Sequence, residues 1–182
     1  LASDPVSFVH AQSSPADQEV VALLASGLAF GNVVAVRRSI ERVLATFGDV
    51  PPSLAIERDP RTIRRRLHGF RHRVYTGADV ARVLCRASRI RRDEGSLGAA
   101  LLTRVDAAGD LREGLARFSD DLRGPRADRG LRHLVPDPRA GSACKRTLLY
   151  LRWMCRPADG VDLGLWPLSP SRLLIPVDTH IG

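Results

Sequence analysis

The chain has 182 residues, 44% hydrophobic and 26% charged, with a net charge of +8, enough length for one domain with a substantial core. That charge favours an anionic partner, nucleic acid foremost, with a solvated basic face as the alternative. A membrane span is excluded, because no apolar run approaches the roughly 20 residues that one requires.

The opening segment, residues 3–18, carries two prolines and several small polar residues and reads as an irregular lead-in. Ser14-Pro15, with Asp17 and Glu19 close behind, is a helix start. The run EVVALLASGLAF then sets Val20, Leu23, Leu24, Gly27 and Leu28 on one stripe and is apolar nearly all round, which predicts a buried central helix. Gly31-Asn32 breaks it. An amphipathic helix follows from Val33 to Phe47, with Arg37, Arg38, Glu41 and Arg42 outward, and ends at Gly48 to Pro52.

Residues 53–73 give a short helix and a basic stretch, DPRTIRRRLHGFRHR, with Phe70 and Tyr75 nearby. Basic residues interleaved with aromatics suit a phosphate backbone, although a solvated helix face has the same pattern. Further helices are predicted from Val80 to Arg92, from Leu97 to Leu102 and from Asp110 to Leu122. No segment sustains period-two alternation, so strands are absent or minor. The fold class is therefore all-α, a multi-helix bundle over 1–182, with possible lobes at 1–50 and 51–182.

Arg123 to Arg139 is a Gly/Pro/Arg-rich connection with a short turn at Leu131 to Val135. Ser142 then stands as N-cap to a helix from Ala143 to Arg156, whose buried stripe is Cys144, Leu148, Leu151 and Cys155, widened by Met154. Lys145 falls on the border of that stripe. Among 28 Lys plus Arg it is the only lysine, leaving 27 arginines. Arginine serves salt bridges and phosphate contacts, but it stays protonated and is no amine nucleophile, whereas a lysine can attack carbon. A compositional bias towards arginine is the other explanation. The segment from Pro157 to Leu174 is loop, and Asp178 reads as the N-cap of a helix starting near Thr179. The three cysteines, Cys85, Cys144 and Cys155, form no C-x-x-C pair and read as buried thiols of a cytoplasmic protein. Both ends, Leu1 and Gly182, look cut.

Gly-Ser-Ala-Cys-Lys at the head of an apolar helix and Pro-Val-Asp-Thr-His downstream resemble the helix–hairpin–helix DNA glycosylase superfamily. The 33-residue separation of Lys145 and Asp178 is closer to its archaeal 8-oxoguanine DNA glycosylases. From Asp4 to His180 the wording is similar to a bacterial family of uncharacterised proteins placed beside that group. The resemblance implies a base-excision glycosylase with lyase activity on double-stranded DNA carrying a damaged base, 8-oxoguanine among them, or an abasic site. Lys145 would form a Schiff base at C1′, and Asp178 would stabilise the cationic sugar. DNA contacts fall to Arg139, Gly141 and Ser142 at an altered hairpin, to Arg146, to Asn32 at the broken helix pair, and to His180. No iron–sulfur cysteine cluster, metal or other cofactor is implied. The protein is expected to be a nucleoid-associated monomer, with residues 1–182 alone inactive because Asp178 caps a helix beyond them. A catalytically silent helical DNA-binding module is the alternative.

Overall fold

In the computed structural model, which describes residues 4–176, the other elements are placed around α2 (Pro15–Leu28). Pro15 stands in its first turn, where a missing N–H leaves no bond unmade. The Ser14 hydroxyl accepts from the Asp17 amide at 3.1 Å, as a cap should. A helix that is apolar all round is stable only when neighbours cover every side. α1 (Ser7–His10), α3 (Val33–Leu44), α4 (Pro52–Arg58), α6 (Gly77–Glu94) and α10 (Lys145–Cys155) supply that cover. Val20, Val21 and Leu28 are wholly buried, each contributing about 1.5–3 kcal/mol. α1 lies inside the lead-in expected to be irregular. It forms because Val6 and Val9, both fully buried, seal against α2.

One buried carboxylate fixes how these helices meet. Glu19 Oε2 accepts from Arg91 at 3.0 Å and from the Leu97 amide at 3.1 Å, at the head of α7 (Leu97–Ala108). Its Oε1 accepts from the Gly98 amide at 3.1 Å and from the Trp166 indole at 2.7 Å. The orphan amides of a helix start thus receive a negative charge, a favourable arrangement. Tyr150 of α10 donates to the Glu19 carbonyl at 3.1 Å. Glycine is required at 98, since a Cβ there would lie 2.4 Å from the Trp166 ring.

α7 and α8 (Leu111–Arg123) pair across a left-handed Gly109. α5 (Pro60–Arg66) leads into a small antiparallel hairpin, β1 (Arg71–His72) and β2 (Tyr75–Thr76), with His72 opposite Tyr75. Ten α-helices and this hairpin comprise the regular structure of the described residues, with three single turns of 3-10 helix, so the bundle is mostly helical. None of these helices is long and apolar enough to cross a membrane.

Several boundaries differ from expectation, among them α6, which begins at Gly77 instead of Val80, and the three that follow. A true helix, α9 (Arg129–Leu134), replaces the short turn near Leu131, because the Asp128 side chain caps it by accepting from the Leu131 amide at 2.9 Å. α7 continues to Ala108 instead of stopping near Leu102. α10 starts at Lys145 instead of Ala143, because Cys144 sits in the left-handed region at φ 48° and ψ 29°, which no helix interior tolerates.

Candidate functional site

The late start of α10 moves Ser142 out of the capping position. Its hydroxyl accepts from the Cys144 amide at 3.2 Å and shapes the turn instead. Gly141 before it is exposed and left-handed at φ 73°. The predicted stripe of Cys144, Leu148, Leu151, Met154 and Cys155 is buried against the core, and burial pushes the Cys155 thiol up to about 12. Lys145, the first helical residue, is exposed instead of lying on the half-buried border of that stripe.

Arg146 turns inward beside it. Its guanidinium donates to the Gly27 carbonyl at 3.2 Å and to the His133 carbonyl. Both carbonyls belong to last turns, of α2 and α9, where C=O groups lack helical partners and a cation is favoured. The same guanidinium lies 5.6 Å from the centre of the Phe30 ring and 5.4 Å from that of Tyr75, within cation–π range. Burial depresses its pKa to about 10. Two helix ends and two aromatic faces therefore hold a charge that no carboxylate among the described residues neutralises.

The hairpin completes this cluster. Arg73 stacks over the other side of the region, 4.6 Å from the Phe30 centroid, with its backbone at φ 54°, a conformation that two-residue hairpin turns normally give to glycine. Gly31 suits this place because its φ is 111°, a conformation that L side chains rarely adopt, and a Cβ would press on the Arg73 side chain at 3.0 Å. Buried His72 joins three elements. Its Nε2 donates to the Phe30 carbonyl at 3.1 Å, and its Nδ1 accepts from the Ser39 hydroxyl at 2.8 Å, a tautomer assigned from those partners. Burial pushes its pKa below the ordinary value, and Arg73 and Arg146 add to the shift. His133 Nδ1 receives the Tyr75 hydroxyl at 2.8 Å.

An open groove of about 560 Å³ runs in front of α10, lined among others by Arg123, Arg126, Arg132, His133, Ser142 and Arg146. Asp120 and Asp137 form part of its wall. Arg139 bridges these two carboxylates, donating to Asp120 at 2.6 Å and to Asp137 at 2.9 Å, and Arg123 contacts both as well. The Arg139 hydrogen bonds hold the Asp137 carboxyl at about 2, well below its usual range.

Of the residues singled out in the sequence, Ser142 and Arg146 line one groove, and Arg139 reaches it through the carboxylates of its wall. Arg139 is paired with two aspartates, and Arg146 donates to two backbone carbonyls. Asn32 is the N-cap of α3, its Oδ1 accepting from the Val34 amide at 2.9 Å. Asp178 and His180 lie outside the described residues. Phe70 and Tyr75, expected to interleave with the basic stretch at the surface, are core residues at 3% and 0% exposure. Trp153 and Trp166 are likewise core. Sequence reasoning missed Arg73, Arg126, Arg132 and His133. Only the density of arginine in 61–73 and 123–139 pointed near them.

The chain matches the family described as "Protein of unknown function (DUF2400)" over residues 4–182, and it belongs to that family. No curated protein and no solved structure matches it. The resemblance to the helix–hairpin–helix DNA glycosylases is corrected accordingly: the family that covers the chain is one of unknown function, and nothing found relates it to that superfamily. Ser142 and Cys144, within the motif ahead of Lys145, adopt a turn of their own before α10.

Proposed function

We propose that this member of the family binds duplex DNA and acts as a base-excision glycosylase with lyase activity, Lys145 being the amine that attacks C1′ of a damaged or abasic nucleotide. One observation carries the reading. The only lysine among 28 basic residues is exposed as the first residue of an 11-residue helix, and its chain neighbour Arg146 lines the arginine-rich groove. In the proposed step the Nζ lone pair forms the bond to C1′ while the glycosidic bond breaks and the base leaves with a proton. Loss of a proton from nitrogen and opening of the sugar ring give the imine, and β-elimination then releases the 3′ phosphate. Asp178 is assigned to stabilise the cationic sugar. The target nucleotide must leave the base stack for the amine to reach C1′.

The exposure of Lys145 supports a second reading, a helical DNA-binding module without catalysis. Borohydride reduction of full-length protein on duplexes carrying 8-oxoguanine or an abasic site separates the two. A covalent adduct that disappears in Lys145→Gln supports the enzyme. Salt-sensitive binding with no adduct supports the module.

A further inference from the structure

We propose that the groove in front of α10 is a phosphomonoester site that takes the terminal phosphate of a nucleotide. The hydrogen-bonding inventory of its walls leads there. The carboxylates of Asp120 and Asp137 are already used: Asp120 accepts from Arg123 and Arg139, and Asp137 accepts from the Arg139 amide and guanidinium at 2.9 Å and from Arg123 at 3.4 Å. Two arginines are thereby balanced by two aspartates. Arg126 and Arg132 are exposed on the same groove and are in no ion pair among the described residues. Arg132 spends only its Nε, on the Ala127 carbonyl at 3.0 Å. His133 accepts at Nδ1 from both Tyr75 and Arg146, and since arginine can only donate, the remaining ring hydrogen sits on Nε2. What the groove offers a ligand is therefore donors and positive charge.

Arg126 supplies an independent sign. Its backbone is at φ 57°, a region that side chains other than glycine seldom occupy, and Arg82 of α6 holds it there by donating to the Pro125 and Arg126 carbonyls. Strained backbone maintained by surrounding contacts marks functional positions. A phosphomonoester carries close to two negative charges and three acceptor oxygens, matching two unbalanced guanidiniums that bind oxygens in pairs. A backbone phosphodiester carries one negative charge and a terminal monoester close to two, so two unbalanced guanidiniums favour the end of a strand over its middle. The natural source of such an end rests on the lyase reading, because β-elimination leaves a 5′-phosphate on the downstream strand. A free mononucleotide presents the same chemistry.

Fluorescence anisotropy of the full-length protein at one salt concentration, on nicked duplexes ending in 5′-phosphate or 5′-hydroxyl, tests the site. The phosphorylated end is expected to bind at least about tenfold tighter. The double variant Arg126→Ala/Arg132→Ala should erase the preference, whereas Arg61→Ala/Arg64→Ala, the same charge loss on exposed α5 positions, should retain it. Competition by dAMP at the concentrations that displace the strand end identifies a free nucleotide as ligand, and failure of dAMP to compete identifies the strand end. Equal affinity for the two ends with no dAMP binding overturns the proposal. So does a preference that survives the Arg126/Arg132 double variant. Borohydride trapping of the wild-type protein on an abasic duplex is scored separately: its failure sinks the lyase reading and leaves the end preference to stand by itself.

Discussion

Glu19→Ala is a substitution that the architecture is expected to tolerate poorly. It removes the acceptor of two backbone amides, Leu97 and Gly98, of the Trp166 indole and of the Arg91 guanidinium. Arg91 is 9% exposed and Glu19 6% exposed in their side chains, so the charge left behind is buried, with Glu57 at 3.5 Å as its remaining partner. Breaking a buried ion pair costs about 3–5 kcal/mol, and each donor left without an acceptor about 1–3 kcal/mol. These contributions overlap, and water can enter from the groove over Trp166, so about 3–5 kcal/mol is the expected total. That is a large share of the roughly 5–15 kcal/mol that holds a domain together. It corresponds to a fall in Tm of about 6–20 °C for a chain of this size. Urea unfolding followed by far-UV circular dichroism reads it. Glu19→Gln, which keeps an acceptor but not the charge, should lose less, and a double-mutant cycle with Trp166→Phe isolates the indole bond. A loss below about 1 kcal/mol for Glu19→Ala would refute the keystone role.

Three further expectations concern charge. Arg139 holds Asp137 at about 2 against an ordinary 3.8, so the pair stabilises the fold above pH ~4 and the benefit is lost as pH falls towards 2. Arg139→Ala should remove about 1 kcal/mol at neutral pH, after allowance for solvent screening, and flatten that acid slope in urea unfolding. His72 is shifted in the same direction, by burial instead of by an ion pair. Its folded value lies below the unfolded 6.5, so the unfolded state takes up the proton first, and stability that is complete above pH ~6.5 declines as pH falls below it. His72→Gln should abolish this dependence, measured as the difference in urea midpoint between pH 7.5 and pH 5. Arg146→Met should lower Tm through the loss of two charged hydrogen bonds to helix ends, about 1.5–3 kcal/mol each before the relief of desolvation is set against them. An unchanged Tm would show that these bonds only offset the desolvation of the guanidinium.

Periodicity carried most of the helical frame because it reflects burial directly. The stripe of α10 and the all-apolar circumference of α2 are statements about which residues must leave water, and both are seen. The caps Ser14 and Asn32 were legible or nearly so, since a side-chain acceptor ahead of an apolar run has few other roles. What composition does not encode is backbone choice at a few residues. The left-handed Cys144 delays α10, and with it Lys145 becomes exposed and Ser142 turns from cap to turn residue. The partners of the arginines were equally hidden. Arg139 and Arg146 differ little in sequence context, yet one meets two aspartates and the other two carbonyl ends, because helices far apart in the chain converge there. Arg73 and His133 join the cluster through tertiary contacts with Phe30 and Tyr75 that no local pattern reports.

The identity of the amine is the most direct question. Within these 182 residues Lys145 is the only side-chain amine, so a borohydride-reduced adduct on an abasic duplex, digested and mapped by mass spectrometry, has one expected address. A deoxyribose remnant on the peptide containing Lys145, absent in Lys145→Gln, is the predicted result. A remnant on any other amine, or no adduct from a protein that still binds the duplex, would contradict the assignment of Lys145 as nucleophile.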